Sequence, residues 1–102
     1  MTTDAAPGPV ELCVFLWAHP GQEEGLVAYE DRVLALVAAH GGTVLQRART
    51  SGEGGHPLEV QFFRFPSEAA LQAYLADDRR VALAAERDRV VARTELMRVQ
   101  FA

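Results

Sequence analysis

Phe62-Phe63-Arg64-Phe65-Pro66-Ser67-Glu68-Ala69-Ala70-Leu71 joins an aromatic run to a segment of helix formers across a proline and a serine. Proline cannot donate to a sheet ladder, and a serine at an N-cap accepts from the first free amides of a helix. The stretch therefore predicts a buried strand that turns directly into a helix, with Leu71, Tyr74 and Leu75 folding back over the strand.

Working outward, residues 58–65 form that strand. Phe63 and Phe65 lie on one face; Leu58, Val60, Phe62 and Arg64 lie on the other. Residues 11–18 form an earlier strand that is apolar on both faces, with Leu12, Val14 and Leu16 opposite Cys13, Phe15 and Trp17. A strand apolar on both sides is covered on both sides, which places it centrally in its sheet. His19-Pro20-Gly21 ends it. Gln22-Glu23-Glu24 opens a helix along which Leu26, Tyr29, Val33, Leu36 or Val37, and His40 recur at helical spacing, until Gly41-Gly42 caps it. A second stripe, Val27, Leu34 and Ala38, is suited to a neighbouring subunit.

Residues 43–50 read as a strand in which Arg47 and Arg49 share a face, marking a solvated side or a sheet edge. The Gly-rich 51–57 turn makes a hairpin to the 58–65 strand. The Ser67 helix runs to residue 76, Asp77-Asp78 cap a further helix over 79–92, and 94–101 closes as the last strand. The order is β-α-β-β-α-β, the ferredoxin-like α+β arrangement with a four-stranded antiparallel sheet. Residues 1–10 are expected to form a disordered leader, and 11–102 a single domain.

Composition narrows the function. The chain has 102 residues, enough for one domain with a real core, and is 49% hydrophobic and 24% charged. A net charge of −4 argues against nucleic acid or an anionic membrane as partner. All ten basic residues are Arg, which together with abundant Ala and Gly suggests a GC-rich, bacterial genome. Cys13 is the only cysteine, so no internal disulfide forms and a reducing compartment fits. The N-terminus lacks a basic region before its apolar run, and that run is too short to span a bilayer. A cytoplasmic protein is expected.

Two helices cover one face of a four-stranded sheet, yet both inner strands carry apolar residues on both faces. The second face needs a cover, and a second copy of the chain, sheet against sheet in a barrel, is the simplest.

At this point the sequence resembles the dimeric α/β-barrel superfamily and, within it, the DUF1330 family. Tyr29, the His40-Gly41-Gly42-Thr43-Val44-Leu45-Gln46-Arg47 stretch, Phe65-Pro66-Ser67 with Glu68-Ala69-Ala70, and Arg87 carry the resemblance, which spans residues 11 to 101. The sequence departs from the family pattern at Asp77-Asp78-Arg79-Arg80, where a Pro-Glu-Tyr-like turn is more usual. The resemblance implies a homodimer with a small-molecule cavity. The superfamily includes cofactor-independent monooxygenases, polyketide cyclases, muconolactone isomerases, haem-degrading enzymes and ligand sensors. The Asn/Trp/His constellation of its haem-degrading and quinone-forming monooxygenases is not recognisable in a chain without asparagine.

Candidate chemistry is sparse. His19, His40 and His56 lack metal-ligand spacing, so no metal is expected. There is no G-x-S-x-G elbow, and Ser51-Gly52-Glu53-Gly54-Gly55 lacks the lysine and helix start of a phosphate cradle. Polar groups within an apolar enclosure are the better candidates. His19 suits proton transfer, Arg64 and Arg87 suit an oxyanion, and Trp17, Phe15, Phe62 and Tyr74 suit the walls of a pocket. Each has a structural alternative. His19 fits an exposed position, Arg64 a pairing with Glu59, Glu95 or a partner's acid, and Arg87 a pairing with Asp31 or Glu30. The expected function is a homodimer handling a conjugated or carbonyl-bearing metabolite, as a cofactor-independent isomerase, cyclase or monooxygenase. The alternative is a non-catalytic ligand-binding or accessory dimer.

Overall fold

The computed structural model describes residues 8–102. Most of the expected leader falls on residues 1–7, outside the described residues, and the first strand already begins at Val10. The elements are β1 (Val10–Ala18), α1 (Glu23–Leu34), β2 (Thr43–Arg49), β3 (Glu59–Phe65), α2 (Glu68–Leu75), α3 (Asp78–Val81), α4 (Ala84–Val90) and β4 (Val91–Val99). The sheet order is β2-β3-β1-β4, with every neighbour antiparallel. This is the ferredoxin-like split βαβ topology, with β1 and β3 central as their two-sided apolar patterns require.

The strand-to-helix junction follows its sequence closely. Phe65 is 1% exposed at the end of β3. The Ser67 hydroxyl then accepts from the Ala70 amide at 3.1 Å, capping α2. Leu71 and Tyr74 fold back into the core, where the Tyr74 ring lies 5.5 Å from that of Phe65. Leu12, Val14 and Leu16 of β1 point to this same side and pack with Leu26, Tyr29 and Val33 of α1 and Val90 of α4. Burying each such side chain fully contributes about 1.5–3 kcal/mol.

Three boundaries differ from the sequence reading. The helix expected over 22–40 ends at Leu34, and Val37–His40 forms a separate 3-10 turn. No glycine or proline marks the break. It places Val37, 1% exposed, against Gly42, where an added Cβ would come within 2.7 Å of both Val37 and Phe65. Gly41, at φ 74°, supplies the left-handed exit. The helix expected over 79–92 is two, α3 and α4. Val90 and Val91 are both buried, and β-branched Val91 is already extended, so β4 starts three residues early and pairs with Ala18 through a bulge. A bulge also interrupts β2 between Val44 and Gln46, leaving Leu45 exposed.

The side of the sheet away from this core carries Cys13, Phe15, Val60, Phe62 and Met97 as cross-strand neighbours. Met97 is 39% exposed, and Phe15, Val60 and Phe62 are only partly buried. Among the described residues no helix is long and apolar enough to cross a membrane.

Candidate functional site

Between the helix side of the sheet and the helices lies a cavity of about 60 Å³. Val14, Leu16, Gln61 and Phe63 form its floor, while Glu30 and Val33 of α1 and Tyr74 of α2 form its roof. Arg80, Arg87, Thr94 and Leu96 complete its wall. Its lining is mainly apolar, so each polar group in it bears on what it can hold.

Three polar side chains are buried in the core: Glu30, Glu59 and Gln61. Period-two alternation puts Glu59 and Gln61 on the same side of β3 as Phe63 and Phe65. The Gln61 amide nitrogen donates to Glu30 Oε1 at 2.9 Å and to Glu59 Oε1 at 2.8 Å. Glu59, fully buried, is held by Arg47 of β2, whose Nε and Nη2 both reach the carboxylate. Arg47 Nη1 also donates to Asp31 at 2.6 Å, and Nη2 to the Val27 carbonyl at 3.2 Å. Glu59 therefore has a bidentate cation, as a buried carboxylate requires.

Among the described residues Glu30 has no cation at bonding distance. Burial pushes its carboxyl pKa above the ordinary range; the Gln61 hydrogen bond opposes this, and the nearby Glu59 charge adds to it. Burial likewise raises the Tyr74 phenol, which donates to the Val33 carbonyl at 3.2 Å.

Arg80 and Arg87 reach the cavity without a carboxylate partner among the described residues. The Arg80 guanidinium carbon lies 5.2 Å from the centre of the Tyr74 ring. Its Nη1 makes a long bond of 3.4 Å to the Leu75 carbonyl, and its Nε is buried with no acceptor. Arg87 Nη2 donates to the Thr94 hydroxyl at 2.9 Å.

Of the residues singled out from the sequence, Arg87 and Tyr74 line this cavity. Arg64, Phe15, Phe62 and Trp17 lie on the opposite side of the sheet. Arg64 is exposed and pairs with Glu11 at 2.9 Å, not with Glu59 or Glu95. Glu59 alternates to the helix side, whereas Glu11 is Arg64's cross-strand neighbour. The Phe101 amide and Arg64 together hold the Glu11 carboxyl below its usual range. Arg87 pairs with Thr94 and makes no bond to Asp31, which Arg47 holds, or to Glu30, whose Oε1 accepts from Gln61. Trp17 donates its indole N–H to the Gly55 carbonyl at 2.9 Å, beneath the Arg93 guanidinium. His19 follows β1 and is half-buried, its backbone amide bonded to the Val90 carbonyl. Arg64 sits opposite Glu11, so eight residues of strand, about 26 Å at 3.3 Å each, separate it from His19. The two do not meet within one subunit.

Glu30, Gln61, Arg80 and Thr94 are the cavity residues that the sequence reading passed over. Helical spacing signalled Glu30, which stands four residues after Leu26 and three before Val33. Alternation with Phe63 and Phe65 signalled Gln61. Nothing local signalled Arg80, which depends on how α3 leaves Asp77.

The sequence profile of the DUF1330 domain of unknown function matches residues 16–100. No curated protein matches. Among solved structures, a protein of unknown function from Rhodopseudomonas palustris superposes with a TM-score of 0.76 at 18% identity, covering 95% of this chain and 85% of that one. A candidate antibiotic biosynthesis monooxygenase from Caulobacter crescentus CB15 gives 0.76 at 18% identity, over 94% and 92%. A Dabb-family protein with a ferredoxin-like fold from Mesorhizobium loti gives 0.69 at 15%, over 93% and 98%. At these identities the likeness is one of fold.

Proposed function

Because the chain belongs to the DUF1330 family, we propose that it is a cytoplasmic homodimer that handles a small carbonyl-bearing or conjugated metabolite in the cavity between sheet and helices, as a cofactor-independent enzyme of isomerase, cyclase or monooxygenase type. The observation that carries this reading is the cavity itself, a mainly apolar enclosure of about 60 Å³ whose polar groups include two arginines that no carboxylate reaches among the described residues. An enclosure of this kind orients a small molecule by one or two polar contacts and surrounds the rest with hydrocarbon. Arg87 and Tyr74 act from inside the subunit. Phe15, Trp17 and Phe62 form the face that a second copy covers, with Arg64 and His19 at opposite ends of it.

The likeness in fold to a candidate monooxygenase supports an enzymatic reading without choosing its reaction. The homodimer is supported by the cross-strand apolar neighbours Cys13, Phe15, Val60, Phe62 and Met97, which no described helix covers. A set of small carbonyl compounds screened by amide chemical-shift perturbation tests the site. Binders are expected to move the amides of Tyr74, Arg87, Thr94 and Leu96. Binders that move only open-face residues would place the site elsewhere.

A further inference from the structure

The ten arginines divide unevenly. Arg32, Arg47, Arg49, Arg64, Arg79, Arg93 and Arg98 each have a carboxylate within 4.0 Å. Among the described residues Arg80, Arg87 and Arg89 do not. Arg89 is exposed, where water serves as its partner, but Arg80 and Arg87 are half-buried and both line the cavity. A guanidinium carries five N–H donors, and withdrawing them from water without an acceptor costs free energy. Arg80 Nε is the one fully occluded side-chain polar atom without a partner among the described residues. Arg87 commits one N–H to Thr94, and no other acceptor reaches it among the described residues.

The same cavity is lined by one carboxylic acid, Glu30, close enough to Arg80 to feel its charge, and by the Tyr74 phenol. Glu30 Oε1 accepts from Gln61, while no protein donor reaches its Oε2 among the described residues. The groups packed around it are Glu59 and Gln61 of β3, Arg47 of β2, and Arg80 of α3. Glu59 is neutralised by Arg47.

We infer that the cavity takes a small enolisable carboxylic acid, a 2-oxo acid or its vinylogue, with Arg80 and Arg87 holding the carboxylate and carbonyl oxygens and Glu30 accepting the proton from the adjacent carbon. This rests on the small-molecule reading above and names its substrate class and base. In the step, the Glu30 carboxylate takes the proton and the C–H electron pair becomes the C=C bond of the enolate. The carbonyl π pair moves onto oxygen beside a guanidinium. Glu30 then returns the proton to the same carbon or to the far end of the conjugated system, which gives exchange or isomerisation with no oxidant or reductant. Burial, which raises the Glu30 carboxyl above its ordinary range, makes it a stronger base than an exposed glutamate. The arginines hold the developing oxyanion in a site with little water to reorganise.

The test uses the full chain with two probes of similar size, 2-oxobutyrate and its neutral counterpart butanone. Binding is read from amide shifts, and proton abstraction from deuterium uptake at the carbon beside the carbonyl in D2O. 2-Oxobutyrate is expected to bind at least about tenfold more tightly than butanone, to shift Arg80, Arg87 and Thr94, and to exchange faster than in buffer. E30Q keeps 2-oxobutyrate binding but loses about 100-fold or more of the exchange acceleration. R80Q and R87Q lose the preference for the acid, while R80K and R87K retain part of it by keeping the charge. Equal binding of the two probes would overturn the anionic class and leave the small-molecule reading standing. Exchange undiminished in E30Q would overturn the base. Failure of both probes to move any cavity residue would overturn both readings.

Discussion

Replacing Arg47 by methionine tests the electrostatic frame on which the cavity rests. Glu59 is fully buried, and Arg47 is the cation that reaches its carboxylate at bonding distance; Arg49 stands at 4.0 Å. Methionine keeps most of the side-chain volume, so the main effect is a buried carboxylate without its cation. Breaking such a pair costs about 3–5 kcal/mol. The Arg47 side chain is 23% exposed, and Arg49 can move part-way into its place, which argues for the lower end, about 3 kcal/mol. For a domain of this length that lowers the melting temperature by about 12–24 °C.

The measurement is urea unfolding followed by Trp17 fluorescence and far-ultraviolet circular dichroism, at one protein concentration because subunit association would shift the midpoint. Adding Glu59→Gln to Arg47→Met should restore all but about 1 kcal/mol, so the coupling in the double-mutant cycle is about 2 kcal/mol plus whatever Glu59→Gln costs alone. A loss below about 1 kcal/mol in R47M, or a coupling near zero, would refute the argument that Glu59 depends on Arg47.

Other perturbations bear on separate parts of the structure. Burial holds the folded Glu30 carboxyl above its ordinary 4.5, so the folded state binds more protons than the unfolded one across that interval, and stability falls as pH rises through it. E30Q is therefore expected to flatten this slope and to be more stable than wild type at pH 8; a parallel pH–stability curve would count against the assignment. Ser67→Ala removes the α2 cap and should cost about 1 kcal/mol in thermal or urea unfolding. Gly42→Ala drives a methyl to within 2.7 Å of Val37 and Phe65 and should cost about 1–3 kcal/mol by the same measurements. Phe62→Glu on the open side should yield a folded monomer near 11.1 kDa by sedimentation, whereas wild type sedimenting at that mass would remove the face-to-face barrel.

Strand identity was legible because its signal is local and redundant. Alternation put Leu12, Val14 and Leu16 together on one face of β1 and Phe63 and Phe65 together on one face of β3, and each is buried. The capped junction at Ser67 was legible for the same reason. Helix ends were not, because the break before Val37 and the early start of β4 at Val91 are set by packing across the fold rather than by a glycine or proline. The site was half legible. Tyr74 was legible as an aromatic residue folding back over the strand, and Arg87 through the family resemblance. Glu30 and Gln61 had the right phase, but a glutamate between Tyr29 and Asp31 and a glutamine between Val60 and Phe62 look like ordinary surface positions until the opposing layer is known. Arg80 was beyond reach, since its place depends on Asp77, which accepts from the Arg79 amide at 2.8 Å and turns α3 toward Tyr74.

The two sides of the sheet carry the reverse of the chemistry that stability alone would give them. The side covered by helices buries Glu30, Glu59 and Gln61, while the side with no described helix over it displays Phe15, Val60 and Phe62. Replacing a buried ionic network by well-packed hydrocarbon is often neutral or stabilising by about 1–4 kcal/mol, so the network on β3 is not explained by stability. Its geometry suggests what else it does. Arg47 neutralises Glu59, Glu59 takes one hydrogen of the Gln61 amide, and the other hydrogen goes to Glu30 at the cavity. That chain orients one oxygen of Glu30 and leaves the other unbonded beside a cavity that also receives two arginines without counter-ions. Local rules of folding are broken most often where a site is being built. Here buried Glu30 and Gln61 and two guanidinium groups that no carboxylate reaches among the described residues break them around the same cavity.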